Sequence, residues 1–138
     1  MYWSTTDFSG MTKGPEKMEN VVHSFKSVEE QIADQDSIYN FYRRAIRIRN
    51  ENPEIARGTI SYMEEIEDTD VCAIEKTYEG STILMLYNFS KTDTKTITVS
   101  KAEHKYEGIR GYLSADGTEV TLNQEEVTLP PYSIVILK

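Results

Sequence analysis

The chain has 138 residues, with 15 Lys and Arg against 23 Asp and Glu, and therefore a formal net charge of −8. A complete (β/α)₈ barrel, which takes roughly 250 residues, is excluded by this length. Residues 58–138 carry seven of the basic and fourteen of the acidic side chains. A surface of that sign repels phosphate backbones, so we expect no nucleic-acid partner. No apolar run approaches the roughly 20 residues of a membrane-spanning helix, so we expect no membrane partner either.

Residues 1–33 have no sustained hydrophobic period, and the glycines and polar residues scattered through them predict a loop-rich, extended arm. Within this arm, Ser27 and Glu30 have the spacing of a capping box. In that motif the serine hydroxyl accepts from the backbone N–H three residues on, and the glutamate accepts from the serine N–H. We therefore predict a short helix over 27–33.

The main helix is predicted over about 36–51. Its apolar residues recur at steps of three and four and form a broad band on one face: Ile38, Phe41, Tyr42, Ala45, Ile46 and Ile48. Asp36 is the predicted N-cap. Asn52-Pro53 ends the helix, because the residue before a proline avoids the α region. One side of this helix is therefore expected to be buried.

From Gly58 onwards the hydrophobic period changes to two, which is typical of half-buried strands. Two longer runs, 81–89 and 132–137, are apolar at both odd and even positions, so side chains on both faces of the strand are apolar. These runs are predicted at the centre of a sheet. Turn residues such as Glu79-Gly80 separate the runs. The predicted fold class is mainly β, an antiparallel β-sandwich preceded by the arm and one amphipathic α-helix. Its predicted buried residues include Leu84, Leu86, Ile134 and Ile136.

The main helix also carries a resemblance. Residues 37–53 read S-I-Y-N-F-Y-R-R-A-I-R-I-R-N-E-N-P. This segment resembles the last barrel helix of α-amylase-family (family 13) glycoside hydrolases, of the type S-x-x-x-F/Y-Y-R-x-x-I-x-x-R-x-x-x-P, which leads into a C-terminal β-sandwich. Upstream, Met1-Tyr2-Trp3-Ser4 is similar to the M-x-W motif that follows the final catalytic loop of those barrels. The resemblance implies a remnant of the catalytic barrel over 1–57 and a glycosyl hydrolase C-terminal domain-like β-sandwich over 58–138.

By this resemblance, the chain is expected to be the C-terminal accessory domain of an α-amylase-like glycoside hydrolase that acts on α-glucans, such as starch, in carbohydrate metabolism. Its partner is then the catalytic barrel of the parent enzyme, which it stabilises, and an α-glucan substrate is a second expected contact. The resemblance places Tyr2 and Trp3 after the last catalytic loop. We predict them as substrate-binding residues, because sugar rings stack on aromatic faces.

Two alternatives remain open. A stand-alone carbohydrate-binding module is expected to expose two or three aromatic side chains on one sheet face. An immunoglobulin-like interaction domain has no need of the basic amphipathic helix.

The resemblance implies that the parent is a glycosidase. No catalytic residue is predicted in this chain, so this chain alone is not expected to be one. A retaining glycosidase needs two carboxylates about 5 Å apart, and the resembled family places its pair in a part of the barrel that this sequence does not contain. No metal ligand or cofactor is expected here, because His23 and His104 lack a partner at metal-ligand spacing. The acidic run 64–70 lacks the residue order of a calcium loop and is predicted as a solvated hairpin loop. Calcium in the parent enzyme is left open.

An apolar helix face with no barrel to cover it favours another partner. Two arrangements are expected alternatives: residues 1–57 fold back onto the sandwich, or the helix face pairs with a second copy in a homodimer. The sequence leaves the localisation unknown, between a secreted and a cytoplasmic parent, and a bacterial enzyme is expected.

Overall fold

The fold is that of a computed structural model in which residues 2–7, 9–10, 24–62, 66, 68–99 and 106–138 are described. The chain divides into two compact units, Met1–Arg43 and Arg44–Lys138. The predicted boundary after residue 57 separates a remnant of the catalytic barrel from the β-sandwich domain. It stays a prediction.

The first unit contains helix α1 (Val28–Ala33) and the start of helix α2 (Ile38–Glu51). The predicted capping box is present, since Ser27 Oγ accepts from the Glu30 backbone N–H at 3.3 Å and Glu30 Oε2 accepts from the Ser27 N–H at 2.8 Å. The predicted cap of α2 is wrong by one residue. Ser37, not Asp36, accepts from the Asn40 N–H, at 3.2 Å, because Ser37 directly precedes the first helical residue.

Asn40 explains how α1 and the start of α2 are held together. It is the buried residue of α2, and its side-chain amide donates to the backbone carbonyls of Gln31, Ile32 and Asp34 at 2.7–3.1 Å. These carbonyls belong to the C-terminal end of α1, where the last C=O groups have no partner within the helix. One buried polar side chain thus satisfies the end of α1.

The described part of the second unit contains the end of α2, the one-turn helix α3 (Glu54–Arg57) and eight strands. The strands are β1 (Thr59–Tyr62), β2 (Val71–Tyr78), β3 (Ser81–Asn88), β4 (Lys95–Thr98), β5 (Ile109–Ser114), β6 (Thr121–Asn123), β7 (Glu126–Leu129) and β8 (Ser133–Leu137). All pairings are antiparallel and form a five-stranded sheet of order β1-β2-β3-β8-β5 and a three-stranded sheet of order β4-β7-β6.

The two sheets enclose one apolar core, to which the five-stranded sheet contributes Leu84, Leu86 and Leu137 and the three-stranded sheet Val127 and Leu129, all fully buried. The predicted antiparallel β-sandwich is therefore confirmed. The two runs predicted at the centre of a sheet correspond to β3 and β8, which are neighbours in the middle of the five-stranded sheet.

Three of the four residues predicted to be buried, Leu84, Leu86 and Ile136, are buried. Ile134 is half-buried instead. It points to the other side of the sheet from the core, called here the outer face, and side chains two residues apart on a strand share a face. On the outer face Ile83, Met85 and Ile136 form a second, smaller buried cluster.

Strand β5 has no clear signal in the sequence. Its register against β8 passes from Ile109↔Leu137 to Gly111↔Ile136, so Arg110 is an extra residue in a β-bulge. A bulge interrupts the alternation of side chains between the two faces, which removes the period-two pattern from the sequence.

Candidate functional site

Tyr2 and Trp3, the predicted substrate-binding residues, lie beside α1 in the first unit. Their carbonyl oxygens accept from the backbone N–H groups of Val28 and Glu29, at 3.1 and 3.0 Å. The Tyr2 ring lies 6.0 Å from the ring of Phe25, and its hydroxyl donates to the Phe25 carbonyl at 3.0 Å. The Trp3 side chain is 66% exposed. Tyr2 therefore packs within the unit, whereas Trp3 presents its ring to solvent, and a role of either in substrate binding stays a prediction.

The apolar band of α2 is only partly covered. Ile48 packs on the outer-face cluster of the five-stranded sheet, in the second unit. Phe41 and Ala45 are half-buried, and three large side chains at a spacing of four are mainly exposed: Ile38, Tyr42 and Ile46. The expectation that one side of the helix is buried is thus not met within the described chain. Residues four apart lie on one helix face, so Ile38, Tyr42 and Ile46 form a continuous apolar stripe.

Helix α2 approaches the sheet closely because of Gly111. A methyl group at Gly111 would lie 2.9 Å from Cγ1 and 3.1 Å from Cγ2 of Ile48. Ordinary carbon–carbon contacts are 3.5–4.0 Å, so only a residue without a side chain fits beneath Ile48. Ile55 of α3 packs on the same cluster, so α2 and α3 together cover the part of the outer face formed by Ile83, Met85 and Ile136.

Glu54 fixes α3 to the sheet. Its carboxylate is 1% exposed, and Oε1 accepts from Ser81 Oγ at 2.6 Å and from Lys138 Nζ at 2.7 Å. Its second oxygen, Oε2, is buried and has no hydrogen-bond partner among the described residues. Burial raises the pKa of Glu54, but the bonds from Lys138 and Ser81 outweigh it, and the net pKa is lowered. Glu54 is therefore charged at neutral pH and pairs with Lys138.

Next to the part covered by the helices, the outer face carries two aromatic side chains of β3 and the residue after it, Tyr87 and Phe89. The rings of Tyr87 and Phe89 are nearly parallel, at 3° with centroids 6.0 Å apart. Phe89 is 58% and Tyr132 53% exposed, and Tyr87 is half-buried against the outer-face cluster. Phe89 comes directly after Asn88 and Tyr132 directly before Ser133, so both lie at the end of the β3–β8 pair marked by Asn88↔Ser133.

Tyr132 has a left-handed backbone, with φ +47°. This region costs of order 1–2 kcal/mol for a residue with a Cβ, and glycine or asparagine adopts it more easily. The surrounding hydrogen bonds hold it there: buried Asn88 donates to the carbonyls of Leu129 and Pro130, and Ser133 Oγ donates to the Pro130 carbonyl. The Tyr132 N–H donates to the Ser90 carbonyl at 3.2 Å.

The described residues contain no cluster of three or more His, Cys, Asp or Glu that could hold a metal ion. From the acidic run, Asp68 and Asp70 pair with Lys95 at 3.1 and 2.9 Å, while Glu64, Glu65 and Glu67 lie outside the described residues. His23 and His104 also lie outside them. No helix in the described part of the chain is long and apolar enough to cross a membrane.

A solved structure shows what this arrangement is similar to. Eubacterium rectale Amy13B is 30% identical and superposes with a TM-score of 0.86, over 100% of this chain and 26% of its own. The chain corresponds to the C-terminal part of an α-amylase-family protein. The resemblance that the helix motif indicates is thereby confirmed, and it extends through the whole β-sandwich.

Other relatives agree with this α-amylase-family assignment. The oligo-1,6-glucosidase of Halalkalibacterium halodurans is 30% identical over 64% of the chain, and that of Bacillus cereus is 25% identical over 100%. The trehalulose synthase MutB of Pseudomonas mesoacidophila is 24% identical with a TM-score of 0.64 over 81% of the chain, which shows the shared fold alone. No protein-family model matches the chain. The chain spans only 16% and 24% of the length of the two glucosidases.

Three features of this α-amylase-family domain are missed by the sequence pattern: the Gly111–Ile48 contact, the Glu54–Lys138 ion pair and the left-handed Tyr132. The first two join residues that are more than sixty positions apart, and no local period connects them. A signal for the third is the sequence Pro130-Pro131-Tyr132, which predicts a turn but does not indicate which residue has a positive φ.

Proposed function

We propose that the chain is the C-terminal accessory domain of an α-amylase-like glycoside hydrolase acting on α-glucans, and that its function is to stabilise the catalytic barrel of that enzyme. The oligo-1,6-glucosidase relatives support the substrate class, and the similarity of the whole chain to about a quarter of Amy13B supports the role of one domain within a larger enzyme.

The observation that carries the proposal is the exposed apolar stripe of α2. Ile38, Tyr42 and Ile46 are each more than half exposed on a helix whose sequence motif resembles a barrel helix. Burying one such side chain is worth roughly 1.5–3 kcal/mol, so contact with a barrel through this stripe contributes several kcal/mol to the stability of the complete enzyme. A helix on the surface of a self-contained domain has no physical reason to carry such a stripe.

An exchange of domains tests the proposal. The C-terminal quarter of Amy13B is replaced by this chain, and the hybrid is compared with Amy13B truncated at the same position. We expect the hybrid to hydrolyse starch and to keep its activity longer at elevated temperature than the truncated enzyme. The control is the hybrid with Val127→Asp, which puts a charge into the sandwich core, where Val127 is 0% exposed. A hybrid that loses its activity at elevated temperature as fast as the truncated enzyme contradicts the proposal.

The isolated chain is expected to release no chromophore from a nitrophenyl maltooligosaccharide. Within the hybrid, we propose that Trp3 contacts substrate, because its ring is exposed while that of Tyr2 lies against Phe25. Trp3→Ala is then expected to raise the KM for starch severalfold. Tyr2→Phe keeps the ring and is the matched control. An unchanged KM in the Trp3 variant contradicts this role.

A further inference from the structure

An open cavity, called here the β3–β5 cavity, lies between the start of β3 and the start of β5. Its volume is about 340 Å³, within the range of roughly 300–1,000 Å³ that is typical of small-molecule sites. Most of its lining residues have polar or charged side chains: Ser81, Thr82, Tyr106, Glu107, Arg110 and Lys138. All of them belong to the second unit, and they are distinct from the residues of the outer-face cluster.

The β-bulge of β5 brings Arg110 to this cavity. Ile109 and Tyr112 both pack against the core between the sheets, although a regular strand places side chains three residues apart on opposite faces. The bulge adds one residue between them, so Arg110 stays outside the core and lines the cavity, where it is exposed. No hydrogen bond or ion pair joins its guanidinium to another residue in the described part of the chain. The N–H donors of Arg110 are therefore available to a ligand.

The other polar groups of the cavity are held in place by hydrogen bonds. Ser81 Oγ donates to the buried Glu54 carboxylate at 2.6 Å. The Tyr106 hydroxyl donates to Glu75 Oε2 at 2.9 Å. Lys138 Nζ has three N–H donors and uses one on Glu54, at 2.7 Å, while its side chain stays 38% exposed. A ligand thus meets groups that are already ordered, which lowers the entropic cost of binding.

The charges around the cavity do not favour an ionic ligand. Lys138 is paired with Glu54, and the exposed carboxylate of Glu107 balances the charge of Arg110. Glu75 behind Tyr106 adds a negative charge. An anion therefore gains no net attraction, and a cation meets the exposed guanidinium. A neutral ligand that both donates and accepts hydrogen bonds finds both kinds of partner there.

We infer that the β3–β5 cavity binds a neutral sugar, the end of an α-glucan chain, on the β-sandwich itself. Sugar hydroxyls donate and accept at neighbouring positions, so they match the N–H groups of Arg110 and the carboxylate oxygens of Glu107 at the same time. The half-buried ring of Tyr106 lines the same cavity and supplies aromatic surface on which a sugar ring packs. The choice of an α-glucan among sugars rests on the proposed function.

Titration of the full chain with maltotriose, followed by NMR of the backbone amides, tests the inference. We expect the signals of Gly80, Glu107 and Arg110 to shift together, with a dissociation constant on the order of 1 mM, because the cavity is open and touches only one end of the sugar. Arg110→Ala and Glu107→Ala are each expected to raise this constant roughly tenfold or more, since each removes hydrogen bonds to a charged group. Both side chains are exposed, so we expect neither substitution to change the melting temperature appreciably.

The matched controls are Arg49→Ala and Glu126→Ala, which remove the same charges from exposed positions outside the cavity. They are expected to leave the dissociation constant unchanged. Maltotriose that shifts no amide of the cavity, or that binds both cavity variants as tightly as the wild type, overturns the inference. Inorganic phosphate is the probe for an anion. Phosphate that binds the wild type and not Arg110→Ala, while maltotriose does not bind, overturns the inference in favour of an anion site.

The titration and the hybrid with Amy13B test different statements. If the hybrid outlasts truncated Amy13B and maltotriose does not bind the chain, the inference about the cavity is wrong while the proposed function stands. If maltotriose binds as expected and the hybrid is no better than truncated Amy13B, the proposed function fails and the cavity is still a sugar site.

Discussion

Replacing Gly111 with alanine places a methyl group where Ile48 of α2 already lies. The new carbon would be 2.9, 3.1 and 3.2 Å from Cγ1, Cγ2 and Cδ1 of Ile48. Two of these atoms are bonded directly to the Ile48 Cβ, so a side-chain rotation cannot move all three away and the helix must shift. Overpacking of this kind costs about 1–3 kcal/mol. We therefore expect the melting temperature to fall by several degrees.

Urea denaturation followed by circular dichroism measures this cost, and two further variants show whether its cause is the contact. Gly108→Ala is the control, since its methyl group would meet no atom within 4 Å. It is expected to change the free energy of unfolding by less than about 0.5 kcal/mol. In an Ile48→Ala background, Gly111→Ala is expected to cost nothing. If the effects of the two substitutions add to within about 0.5 kcal/mol, the close packing of α2 on the sheet is refuted.

Three further predictions test separate parts of the fold. Leu84→Ala, in the core between the sheets, is expected to lower the free energy of unfolding by about 2–5 kcal/mol in urea titrations, because Leu84 is fully buried. Ser37→Ala is expected to lower it by about 0.5–2 kcal/mol through loss of the α2 cap, and Asp36→Ala to leave it nearly unchanged; equal effects would contradict the assignment of the cap. The lowered pKa of Glu54 stabilises the fold above the pKa of about 4.3 in the unfolded state, and this contribution is lost as the pH falls through the folded-state pKa. The difference in urea midpoint between wild type and Glu54→Gln is therefore expected to be present at pH 7 and to shrink below pH 4.

Most of the fold is encoded locally and was accessible from the sequence. The capping box of Ser27 and Glu30 lies within one turn. The two runs that are apolar at both odd and even positions indicate β3 and β8 as central strands. The hairpin between β2 and β3 follows from Glu79-Gly80, which adopts φ +50° and +80°. In each case the signal is carried by residues that are close together in the chain.

The arrangement of side chains on the outer face could not be predicted from the sequence in the same way, because it depends on which strands become neighbours. Phe89 and Tyr132 are exposed at the end of the β3–β8 pair and do not belong to the cluster on which Ile48 and Ile55 pack. Phe89 continues the apolar run 81–89, so its sequence context is that of a core residue. The register decides that it faces away from the core, and register is set by pairing across the chain.

The smallest part of the chain that folds by itself is predicted to begin within α2, at residue 44, and not at the first strand. The core between the sheets lies wholly within residues 58–138, but the outer-face cluster does not, because Ile48 and Ile55 cover Ile83, Met85 and Ile136.

Removing residues 1–57 exposes these three side chains, each worth roughly 1.5–3 kcal/mol when buried, and also removes Glu54 from Lys138. The sum of about 4.5–9 kcal/mol is an upper bound, yet it is comparable with the whole stability of a small domain. In thermal melts we expect residues 44–138 to unfold cooperatively and residues 58–138 to be unfolded at 37 °C or to melt without cooperativity. Equal melting temperatures for the two fragments would show that α2 and α3 do not stabilise the sandwich.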